Sequence, residues 1–199
     1  MSGIGRRLRT VAFLSGGLLW AAPALAHDAF GDLGPFYANL LHPLSDQLQG
    51  ILIVGAAALL VAKGREAAQL GLPVFVASAA LALLATTLGR PLPYPLLAVA
   101  LAAALVGAAA TLPARLVPMG VVVLLMVLAG GFVGAAFGPP APGAGTLRPL
   151  SGALLGVAVP SLLCWGALDL LAGRLTPVVP AVIGSWVAAS GVIVAAFLW

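Results

Sequence analysis

Charge is scarce in this chain: nine basic and five acidic side chains are spread over 199 residues. A water-soluble domain of that length could not keep its surface wetted with so few. Cysteine is nearly missing too. Cys164 alone allows neither an internal disulfide nor a thiolate cluster for zinc or iron-sulfur, and it reads as a small buried apolar group. Histidine occurs only at His27 and His42, and no CxxC pair, haem-ligating histidine pair or phosphate-binding glycine loop is present. No serine has a histidine partner at a recognisable motif, and Asp46 and Asp169 are expected at opposite membrane faces. No enzyme is therefore expected. The basic residues form no patch interleaved with aromatics, so nucleic acid is not an expected partner.

What the chain has instead is hydrocarbon, 62% of its residues, so the lipid bilayer is its solvent and first partner. A helix needs about 20 residues to cross about 30 Å of hydrocarbon. Six apolar stretches approach that length, roughly 36 to 62, 67 to 88, 93 to 112, 116 to 137, 150 to 172 and 177 to 198. Polar and helix-breaking residues separate them, among them Lys63-Gly64-Arg65-Glu66 and Gly89-Arg90-Pro91. The expected fold is all-α, a polytopic membrane bundle of six transmembrane helices spanning residues 27–199 after a cleavable signal peptide, residues 1–26. Arg6, Arg7 and Arg9 lead into a short apolar run that ends at Ala24-Leu25-Ala26, the pattern of a secretory signal; an uncleaved first helix is the other reading. Cleavage after Ala26 makes His27 the mature amino terminus. Lys63, Arg65, Arg115 and Arg174 then fall inside, and both mature termini face the periplasm.

Helices in lipid approach closely where small residues let backbones touch. Gly130, Gly134 and Gly138 form one such ridge and Gly152 and Gly156 another, which predicts that the fourth and fifth spans pack on each other. A homodimer contact, a membrane partner, or the chance spacings of a glycine-rich chain are the competing readings. Pro73, Pro160 and Pro180 are candidate kinks.

Polar groups gather at the start of the first span. Asn39, His42, Asp46 and Gln49 recur at helical spacing and on one continuous helix would form a ladder about 15 Å long. Such groups in a bilayer mark a pathway by default, or else tie helices together through hydrogen bonds. His42 and Asp46 are four apart, so the carboxylate would fix the imidazole tautomer and leave one ring nitrogen as a ligand. Just before them, the amine and imidazole of His27 and the carboxylates of Asp28 and Asp32 make a candidate outer metal site; a solvated loop is the other reading. The candidate metal residues are thus His27, Asp28, His42 and Asp46, with Asn39 and Gln49 lining the route. Asp169 is expected to pair with Arg174 or Lys63.

The run Phe36-Tyr37-Ala38-Asn39-Leu40-Leu41-His42-Pro43-Leu44-Ser45, after a signal peptide that ends before His27, resembles the opening of the HupE/UreJ family. That family's first helix typically reads H-P-L-x-G-x-D-H. His42, Pro43 and Leu44 match; Asp46 replaces the glycine, and Leu48-Gln49 replaces the closing Asp-His pair. The third-span glutamate and the fourth- and fifth-span histidines of the family are also missing. The resemblance implies a bacterial inner-membrane protein that takes up or handles a divalent cation, nickel or cobalt, with no resident cofactor. With so few family ligands kept, it implies either a permease of altered substrate or a scaffold without transport.

Overall fold

The computed structural model describes residues 34–87, 95–137 and 147–199. Among them there is no strand, as expected for a chain that must satisfy its backbone without water. Seven α-helices follow in order: α1 Gly34–Ser45, α2 Gln47–Lys63, α3 Arg65–Thr87, α4 Pro95–Thr111, α5 Met119–Ala136, α6 Leu147–Arg174 and α7 Val179–Leu198, with a 3-10 turn at Ala114–Leu116 before α5. Each of the six apolar stretches is helical, but the first is two helices bent by 69° at Asp46. By length and composition α3, α5, α6 and α7 are candidate membrane spans, and the bent α1–α2 pair is a candidate fifth. The third stretch is shorter, an apolar helix over Leu96–Thr111. The signal segment 1–26 lies outside the described residues.

Local chemistry sets the boundaries. Gly64 takes φ +91°, a conformation other residues avoid, and its N–H closes α2 on the carbonyls of Leu60 (3.1 Å) and Val61 (3.2 Å). The chain reverses there and α3 begins at once. Pro118 caps α5 without needing an N–H. Pro180 is no mid-span kink: it occupies the first turn of α7, where a missing N–H leaves no gap. Pro73 and Pro160 do lie inside α3 and α6.

Three close helix pairs, α4 with α7, α3 with α5 and α1 with α6, surround α2. Helix α2 touches every other α-helix, and Leu52, Ala58, Leu59 and Leu60 on it are fully buried. Phe75 of α3, Val99 of α4, Met126 of α5 and Val157 of α6 complete this core. The outward faces are apolar as well, with Leu81, Leu105, Leu163, Trp186 and Phe197 exposed. Water would not tolerate that surface; lipid does, and the protein is a membrane protein.

The glycine ridges are used, but not on each other. A Cβ at Gly130 would collide with the Phe75 carbonyl and the Ser78 hydroxyl, and one at Gly134 with the Ala79 carbonyl, all on α3. Gly152 and Gly156 of α6 instead lie against the carbonyls of Phe36 and Leu40 on α1. The expected packing of the fourth span on the fifth is thus replaced by two separate pairs, because spacing identifies a smooth face and not its partner. Gly138 lies outside the described residues.

Candidate functional site

The polar residues of the first span cluster where α1 gives way to α2, and the break is built from them. Pro43, in the last turn of α1, brings no N–H to its ladder. Ser45 donates its hydroxyl to the carbonyls of Leu41 (3.0 Å) and His42 (3.2 Å), and the Asp46 N–H also reaches His42 O (2.8 Å). Those bonds close α1. Asp46 then turns to φ −86°, ψ 101°, and its carboxylate caps α2. Oδ1 accepts from Leu48 N (3.0 Å) and Gln49 N (3.2 Å), and Oδ2 accepts from Gln49 Nε2 (3.0 Å). The carboxylate sits on the positive end of the α2 dipole, a placement worth about 0.3–1 kcal/mol. Gly50 completes the corner: a Cβ there would stand 3.1 Å from the Pro43 carbonyl.

Gln49 is the unusual member. It is 1% exposed, and among the described residues its Oε1 has no hydrogen-bond partner, although its Nε2 is held by Asp46. Buried acceptors in native proteins nearly always have a donor. His42, on α1, is half-buried with its ring tilted on Phe137, centroids 4.9 Å apart. Asn39 turns its amide back onto the Pro35 carbonyl (2.8 Å).

The ladder expected on one helix face is therefore not formed. Asn39 and His42 belong to α1 and Gln49 to α2, and the 69° bend separates the two faces. The Asp46 carboxylate, expected to serve the His42 ring, holds the first turn of α2. His27, Asp28 and Asp32 lie outside the described residues. Among the described residues, no three His, Cys, Asp or Glu side chains come together as a metal site, so an ion at the break would need amide and carbonyl oxygens as well. Asp169 is exposed on α6, and Lys63, one of its expected partners, donates to the Leu112 carbonyl (2.6 Å). Two open grooves of about 270 and 320 Å³ flank Phe132 of α5; both are apolar, and His42, Asp46 and Gln49 line neither.

Sequence reasoning missed Ser45, Gly50 and the capping role of Asp46. A signal was available, because Asp46-x-x-Gln49 before an apolar run is a variant of the capping box.

The model of the HupE / UreJ protein family matches residues 15–194, almost the whole chain. The chain belongs to the HupE/UreJ family. HupE/UreJ proteins are associated with nickel and cobalt handling, and the family is one of metal transporters and accessory proteins, not of known enzymes. A search of curated proteins and one of solved structures return no match. Set against the HupE/UreJ pattern, the two substituted positions with side-chain chemistry, Asp46 and Gln49, are the two residues that hydrogen-bond each other at the break.

Proposed function

We propose that this HupE/UreJ protein is a permease for a divalent cation of the nickel and cobalt type, and that the ion passes through the interruption of the first span. The observation that carries the reading is that interruption, a helix broken at Asp46, whose half-buried carboxylate holds the buried Gln49 amide. Irregular backbone is tolerated at membrane depth only where protein or a water-filled cavity surrounds it. Carriers use such broken helices to present carbonyls and helix ends to ions.

In this reading the chain crosses the inner membrane six times after signal cleavage, with α1–α2 and α4 counted as spans and both mature termini periplasmic. His27 and Asp28 collect the ion outside, His42 and Asp46 receive it, and Asn39 and Gln49 border its path. The competing role, a non-transporting subunit that binds a partner through its glycines, is less supported. Gly130, Gly134, Gly152 and Gly156 are already covered within the chain, so a partner would have to displace α3 or α1.

The test is accumulation of radiolabelled nickel, cobalt and manganese in cells that express the wild type, His42→Ala or an empty vector. The wild type should accumulate at least one of the three above the vector, and His42→Ala should not. Equal accumulation in all three strains removes the reading.

A further inference from the structure

We infer that α6 is the contact surface of a parallel homodimer, closed by reciprocal ion pairs between Asp169 of one copy and Arg174 of the partner subunit. The inference goes beyond the permease reading and does not depend on it.

Along the second half of α6, Ser161 and Leu168 are buried and Cys164 and Trp165 pack against the core, so that side faces the bundle. The opposite side is uncovered. Val159, Leu163, Gly166, Leu170 and Gly173 are exposed on it, and a Cβ at either glycine would meet nothing within 4 Å. Successive members of this row lie four, three, four and three residues apart, the heptad seam along which two helices wind together. With Leu163 and Leu170 at a positions, Val159 and the two glycines fall at d. The buried Ser161 and Leu168 then fall at f, the position farthest from a seam. Layers of leucine alternate with layers of glycine, which lets two such helices approach closely.

Lipid tails alone could cover an apolar row; the charges beside it select a second copy. Asp169 and Arg174 flank the seam at g and e, both exposed, and among the described residues neither side chain has an ion pair or a hydrogen bond. Within one helix they cannot meet, because five residues separate them by about 7.5 Å along the axis and about 140° around it. Between parallel helices the geometry reverses: a g residue faces the e residue of the partner's next heptad, five positions on, and Asp169 to Arg174 is that step. Copies of one chain enter the membrane in one orientation, so their α6 helices run parallel, and two-fold symmetry forms the bridge twice. Lipid would leave the carboxylate unmatched, at a cost.

Sedimentation equilibrium of the purified full chain in mild detergent tests this with Asp169→Arg, Arg174→Asp and the two combined. The wild type should be dimeric, each single reversal should weaken the dimer by about tenfold or more because like charges then face each other, and the double reversal should restore it. In native membranes, Leu170→Cys in a Cys164→Ala background should cross-link to its symmetry mate under mild oxidation, whereas Leu171→Cys, off the seam, should not. A monomeric wild type overturns the inference and leaves lipid as the cover of α6. A dimer indifferent to the single reversals, or one the double reversal does not restore, overturns it as well. Should a reversal fail to fold, the cross-links decide: equal yields at positions 170 and 171, or none at either, refute the seam.

Discussion

Replacing Asp46 with alanine should destabilise the fold by more than a lost helix cap. The substitution removes the acceptor of the Leu48 and Gln49 backbone amides and also of Gln49 Nε2. An N-cap exchanged for alanine costs about 1 kcal/mol. Gln49 is 1% exposed and its Oε1 has no partner among the described residues, so losing the Nε2 bond strands the amide's donor as well. A stranded buried donor adds about 1–3 kcal/mol, giving about 2–4 kcal/mol in all. In a Gln49→Leu background no amide remains to strand, and Asp46→Ala should then cost only the cap. The coupling energy of the double-mutant cycle is accordingly about 1–3 kcal/mol. Reversible unfolding of the purified chain in mixed micelles with rising SDS, followed by tryptophan fluorescence in EDTA, measures all four corners. If the two substitutions add to within about 0.5 kcal/mol, the Asp46–Gln49 bond does not hold the corner and the reasoning fails.

Four further outcomes are expected. Gly156→Ala places a Cβ 2.5 Å from the Leu40 carbonyl and should lever α1 from α6, at a cost of about 1–3 kcal/mol. Gly166→Ala on the same helix meets nothing within 4 Å and should stabilise the fold by up to about 1 kcal/mol of helix propensity, read as a small rise in the thermal midpoint; the reverse ranking in a thermal melt would remove the α1–α6 contact. Phe75→Ala empties a position 1% exposed and should cost about 3–5 kcal/mol in the same SDS titration, with a smaller loss placing Phe75 outside the core. Lys63→Met deletes the bond to the Leu112 carbonyl and should cost about 1 kcal/mol, read as a shift of the same unfolding curve; no shift would show that the α2–α4 tie is not formed.

Hydropathy made the helical bundle legible before any coordinates, because a backbone in lipid has few alternatives to helix. Lys63-Gly64-Arg65 was readable as a boundary for the same reason: charge and a positive-φ residue both end an apolar helix. The break at Asp46 was not read, since the apolar stretch runs on through it, and Pro43 stands near the end of the helix before it. Capping chemistry, not hydropathy, carries that boundary. The glycines show a second limit. Gly130 and Gly134 mark a smooth face, but whether α3 or α6 fills it depends on chain connectivity in space. The α4–α7 seam sets Gly107 and Gly191 against the backbones of Gly184, Ala188, Ala100 and Ala104, and its small pairs four apart, Ala100 with Ala104 and Gly184 with Ala188, were not read because alanine hides them in an alanine-rich chain.

Helix α2 meets all of its neighbours, and most of its residues are buried. A rod gripped on every side behaves as an axle: it cannot tilt or slide without dragging the bundle along. At the Asp46 end that grip passes to α1, a short helix whose Phe36 and Leu40 backbone rests on Gly152 and Gly156 of α6.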